Sequence, residues 1–173
     1  MKKLLLAAVV TLSACSDNIS VRNLSVSFIE PTNWGSKNFP SAQICRQEGG
    51  RGTTPPLAVR GIPEEANLLI LEISDVDDPA LQDGGLGKLG FYHTEGASRA
   101  TLLPVPGETF VLPPYVFEEK ASLSSTHKWP YMPPCRVRDH VYRAVVKAVR
   151  RTGSFDKQKT DVYGIGDISL GRY

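Results

Sequence analysis

Three carboxylates stand within four residues at Asp75, Asp77 and Asp78, after the apolar run Leu68, Leu69, Ile70, Leu71 and Ile73 and before Pro79. Carboxylates so placed can ligate a cation or start a turn. The run Asp75-Val76-Asp77-Asp78-Pro79 opens like an EF-hand loop, but proline stands where the third ligand belongs and no glycine follows, so a calcium loop of that type is excluded. Gly85-Leu86-Gly87-Lys88-Leu89-Gly90 spells G-x-G-x-x-G without directly following a strand or opening a helix, so no helix N-terminus is there to hold a pyrophosphate. Leu89 follows Gly87-Lys88 where a phosphate-binding P-loop needs Ser or Thr. No serine or cysteine has a recognisable nucleophile setting, with Cys135 the nearest candidate. The expectation is a protein that is not an enzyme and has no metal and no cofactor.

The elements that must position these groups read as strands. A short apolar run bounded by turn residues is a strand buried on both faces, which places Asp75, Asp77 and Asp78 where Leu68 to Ser74 leaves the core. Leu24, Val26 and Phe28 alternate with Ser25 and Ser27, the period of a half-buried strand. Residues 41 to 45, 57 to 59, 89 to 94 and 167 to 173 are further strand candidates, and Glu118 to Ser125 is the best place for a short helix. From His140, the run Val141 to Arg151 fits an amphipathic helix by face, but Val141, Val145, Val146 and Val149 favour a central strand. Proline and glycine punctuate the connections, and helical periodicity is nearly absent. The fold class expected is all-β, an antiparallel β-sandwich with few short helices.

Lys2 and Lys3, the apolar Leu4 to Leu12, and Leu12-Ser13-Ala14-Cys15 stand in secretory order. The end of this segment resembles the lipobox of bacterial lipoproteins, which implies a signal peptide over 1–14, a lipidated Cys15, a tether over 15–23 and a domain over 24–173. Ser16 rather than Asp after the cysteine implies the outer membrane, with the protein facing the periplasm of a bacterial envelope. Losing Lys2 and Lys3 leaves 18 basic against 18 acidic residues, so the mature domain is formally neutral. With no basic face interleaved with aromatics, a nucleic-acid partner is not expected. Cys45 and Cys135 remain in an oxidising compartment, where two thiols commonly pair, although two separate buried thiols satisfy the sequence equally.

Thr54-Pro55-Pro56-Leu57, Gly61-Ile62-Pro63, the buried run, Asp75-x-Asp77-x-Pro79, Tyr131-x-Pro133-Pro134 and His140-x-Tyr142 follow one another in order. The set resembles the phosphatidylethanolamine-binding protein family in its bacterial Raf-kinase-inhibitor-like branch, over about Phe39 to Val149 and the closing strand. The resemblance implies a β-sandwich with a small anion-binding pocket at one end, lined by Asp75, Asp77, Pro55, Pro56, Pro134, His140 and Tyr142. It also implies loops that bring Cys45 and Cys135 together. Val76 replaces a motif proline and Val141 the arginine of H-R-Y, and the family's second pocket histidine falls near Gly87 or Lys88, which makes Lys88 a candidate replacement cation. The expected ligand is small and anionic or phosphate-bearing. The alternative is an envelope interaction or inhibitor protein with a degenerate pocket and a protein partner. The anchor has a direct check: Cys15→Ala should move the protein from the membrane fraction to the soluble fraction, because multiple acyl chains hold a protein where one does not.

Overall fold

The computed structural model describes residues 19–30, 33–35, 37–124, 126–135, 139–154 and 156–173. Cys15 and the leader lie outside the described residues. Among the described residues nine strands form two sheets: β1 Arg22–Asn23, β2 Ser25–Phe28, β3 Leu57–Arg60, β4 Leu68–Asp75, β5 Gly87–Tyr92, β6 Arg99–Leu102, β7 Val116–Lys120, β8 Val141–Thr152 and β9 Lys159–Arg172. The larger sheet has the order β1-β9-β8-β4-β5-β7 and the smaller β2-β3-β6. Every pairing between named strands is antiparallel except β1 with β9. One core cluster contains Leu57, Val59 and Leu102 from the small sheet and Leu69, Leu71, Ile73, Leu89, Phe91, Ala144 and Val146 from the large one, so the inner faces of two sheets meet as a sandwich. The all-β expectation is met, with two short 3-10 turns as the helical content among the described residues.

β4 is the strand the sequence announces. All eight of its residues are buried, and it pairs with β8 on one edge and β5 on the other. Leu69, Leu71 and Ile73 face the sandwich core, while Leu68 and Ile70 form a second apolar cluster on the outer face with Val149, covered by Phe117 and Val162. Glu72 also points outward, and only 5% of it is exposed. Its Oε1 accepts from Lys88 Nζ and Lys147 Nζ, each at 2.8 Å, so two ammonium groups compensate one buried carboxylate while their apolar stems cover the strand. Of the two readings open for Val141 onward, the β-branched one holds: the segment is a twelve-residue strand.

Three expectations need correction. Glu118 to Ser125 is not helical: Val116–Lys120 pairs with β5. Phe117 lies across Gly90, where an added Cβ would come within 2.1 Å of its ring, and this tertiary pairing overrides the helix-forming composition. Residues 41 to 45 are not a strand. Ser41–Gln43 is a 3-10 turn, and the neighbouring backbone donors are used locally or across loops, with Gln43 N–H bonding Pro40 O at 2.9 Å. The closing strand begins at Lys159 rather than Asp167. Gly164 and Gly166 hid its start, because glycine weakens a strand pattern; here a Cβ on Gly166 would stand 2.4 Å from Leu24 O.

Cys45 and Cys135 form a disulfide with Cα atoms 5.3 Å apart across 90 residues of sequence. The adjacent backbone reinforces it, with Cys45 N–H donating to Pro134 O at 3.0 Å. Restricting so long a loop in the unfolded chain is worth on the order of 2–5 kcal/mol. Cys45→Ala/Cys135→Ala should therefore lower the unfolding free energy by that amount, read from chemical denaturation of oxidised wild type against the double variant.

Candidate functional site

Asp75 is the last residue of β4 and Tyr142 lies directly opposite it on β8. Because side chains alternate along a strand, Asp75 shares the inner face with Leu71 and Ile73 and emerges at the end of the sandwich. Its side chain is 2% exposed, and its charge is met by two backbone amides, the His140 imidazole and the Tyr142 hydroxyl. Oδ1 accepts from Asp77 N–H at 3.0 Å and Asp78 N–H at 3.2 Å, while Oδ2 lies 2.8 Å from His140 Nδ1. The first two bonds are the local turn that an aspartate at a strand end favours. The third spans 65 residues.

Asp77 has a different task. Its Oδ2 accepts from Val141 N–H at 2.7 Å, and Val76 N–H bonds Val141 O at 2.8 Å, tying the turn to the first residue of β8. His140 is fastened on its backbone by reciprocal 3.0 Å bonds with Tyr173. The Asp75 hydrogen bond raises the imidazole above its ordinary value of 6.5, with the charges of Asp75, Asp77 and Asp78 adding to the rise and burial opposing it. Its side chain remains 27% exposed. Nδ1 faces Asp75, so Nε2 is the nitrogen left for a ligand, and it has no hydrogen-bond partner among the described residues.

Tyr142 is 1% exposed and rests against Phe39, ring centroids 5.3 Å apart, while Phe39 packs edge-on to Trp34 at 4.9 Å. Burial, then the Asp75 charge, push the Tyr142 phenol up, so it stays neutral. Beside it in the electrostatics is Tyr131, also 1% exposed, whose hydroxyl finds no hydrogen-bond partner among the described residues. A buried hydroxyl in that state is a donor awaiting an acceptor. Sequence reasoning placed Tyr131 only as the opening of a proline segment; an aromatic before Pro133-Pro134 was its single signal.

The remaining residues separate. Pro55 is buried and Pro56 half-buried, and Pro56 O accepts from Ile29 N–H at 3.1 Å. Pro134 is buried at the disulfide loop. Their described hydrogen bonds brace loops and do not run to the Asp75–His140 pair. Lys88 pairs in register with Glu72, three positions from Asp75, so strand alternation puts it on the opposite, outer face of the sheet. His93 bonds Ala97 O through Nε2 at 2.9 Å, and His127 stacks on Trp129, ring centroids 5.2 Å apart. Neither histidine joins the site.

The fold and the strand-end pair define an all-β sandwich with an aspartate-held histidine at one end. A solved structure similar to this chain, described as a homolog of phosphatidylethanolamine-binding protein from Chlamydia trachomatis, shares 18% identity with a TM-score of 0.48, covering 88% of this chain and 97% of that one. No family model and no curated protein matches the chain.

Because the folded-state pKa of His140 is raised, its pairing with Asp75 contributes stability that is fully present below the unfolded value near 6.5 and is lost as pH rises through the folded value. Asp75→Asn keeps an acceptor for the turn amides but removes the charge. An NMR pH titration should then show the His140 pKa falling back toward its ordinary value, and stability should depend less on pH between that ordinary value and the raised one.

Proposed function

We propose that the protein is a lipid-anchored component of a bacterial envelope that binds a small anionic or phosphorylated ligand at His140, without catalysing a reaction on it. The observation that carries this reading is the 2.8 Å contact of His140 Nδ1 with the buried Asp75 carboxylate, which leaves Nε2 as the outward nitrogen. A neutral imidazole that donates from Nδ1 presents only a lone pair at Nε2, which repels a phosphate oxygen. Protonated, the same ring offers a charged N–H donor there, and Asp75 makes that form accessible at a higher pH. The carboxylate is thus an orienting and charging group, and its own oxygens are occupied by Asp77 N–H, Asp78 N–H, the imidazole and the Tyr142 hydroxyl.

The order Lys2-Lys3, apolar run, Ser13-Ala14-Cys15-Ser16 supports anchoring through Cys15 and an outer-membrane, periplasm-facing location. A second reading, an interaction or inhibitor protein with a degenerate pocket, draws on two observations: Lys88 is engaged with Glu72 on the outer face, and Tyr142 is buried against Phe39.

Isothermal titration with phosphate separates the two. A hydrogen bond to a charged group contributes roughly 1.5 to 3 kcal/mol, so His140→Ala should weaken phosphate at this site by about tenfold or more. Affinity in wild type should fall as pH rises through the raised His140 pKa, whereas Lys88→Ala should leave it unchanged. Equal affinity in wild type and His140→Ala at this site would favour the interaction protein.

A further inference from the structure

A cavity of about 620 Å³ opens between the Arg46–Gly52 loop and the Pro106-Gly107 turn. Its lining is unusual in what it lacks. Apart from Pro106, the wall is made of Gly49, Gly50, Gly52 and Gly107 backbone and two arginines, Arg46 and Arg51, with no acidic residue among them. The frame is fixed. Thr53 bridges to Pro106, Gly107 N–H donates to Gly52 O at 2.9 Å, and the Cys45–Cys135 disulfide closes the loop's base. Gly50 and Gly52 admit no Cβ, which would stand 2.1 Å from Ile44 O and 2.5 Å from the Pro133 ring respectively.

The donors of this wall are already committed. Arg46 N–H bonds Glu108 Oε2 at 2.7 Å. Gly49, Gly50, Arg51 and Gly52 N–H bond Arg46, Cys45, Ala42 and Ile44 carbonyls at 3.0 Å each. Backbone amides therefore cannot cradle a ligand here. The two guanidinium groups can: both arginines are exposed, and neither side chain has a hydrogen-bond or ion-pair partner among the described residues. Arg151, Lys88 and Lys147, by contrast, are paired, Arg151 on Glu119 and both lysines on Glu72. In a domain of neutral overall charge, two unpaired arginines flanking one rigid, side-chain-poor cavity are a local excess of positive charge.

We propose that this cavity is an oxyanion site distinct from the His140 site, in which Arg46 and Arg51 hold the phosphate group of a small phosphate monoester. Each planar guanidinium matches two phosphate oxygens, and the glycine wall leaves room for the organic body of the ester.

The test is an NMR titration of the purified protein with glycerol 3-phosphate, which reports the two sites separately. Saturable amide shifts are expected at Gly49, Gly50, Arg51, Gly52 and Gly107, unaltered in His140→Ala. Arg46→Gln and Arg51→Gln should each weaken that response by about tenfold or more, and Arg46→Lys should weaken it less, since charge is kept and the fork is lost. Shifts confined to Asp77, His140 and Val141 would overturn this proposal while sustaining the His140 reading. Loop shifts that persist unchanged in Arg46→Gln/Arg51→Gln would overturn it as well.

Discussion

β4 has neither a free edge nor a free face, and the rest of the molecule is arranged to make that so. β8 and β5 complete its backbone hydrogen bonding, the small sheet covers one face, and Phe117, Val162 and two lysine stems cover the other. A strand enclosed in this way cannot slip in register without turning its whole apolar set to the wrong side. The position of its last residue is consequently as well fixed as the core. Asp75 inherits that precision, and the turn that follows is wound around its carboxylate.

The two buried carboxylates of β4 show how strand alternation divides labour. Glu72 faces outward and is compensated by ammonium groups, a structural solution that lets a charged residue sit in a covered strand. Asp75, three positions along, faces the other way and is compensated by two amides, an imidazole and the Tyr142 hydroxyl. Only the second arrangement has a component that changes charge near neutral pH, so only there does the protein possess a group whose protonation alters what can bind.

Backbone anchoring gives the histidine its rigidity. His140 is clasped by Tyr173, the following residue is held by Asp77, and Tyr142 is packed against Phe39. Val141, which stands where the resemblance implies an arginine, contributes through its N–H and C=O, groups that any residue there would supply. A departure from the motif at that position therefore leaves the turn-to-strand connection intact.

The sequence by itself determined the all-β class, the central buried strand and the carboxylates at its end, because each rests on near neighbours in the chain: an apolar run, its turn residues, and prolines that forbid helix. It did not reveal the β7 strand or the start of β9, since Glu118 and Glu119 favour a helix when no partner strand is considered and Gly164 and Gly166 look like breaks until Leu24 is packed against them. Tertiary structure alone decided which distant groups meet. Motif order suggested the Asp75–His140 and Cys45–Cys135 partnerships, but their distances depend on registers summed over 65 and 90 residues. Lys88 is the sharpest case: its proximity in sequence to the expected histidine position said nothing of its side, and one residue of strand alternation put it on the other face of the sheet.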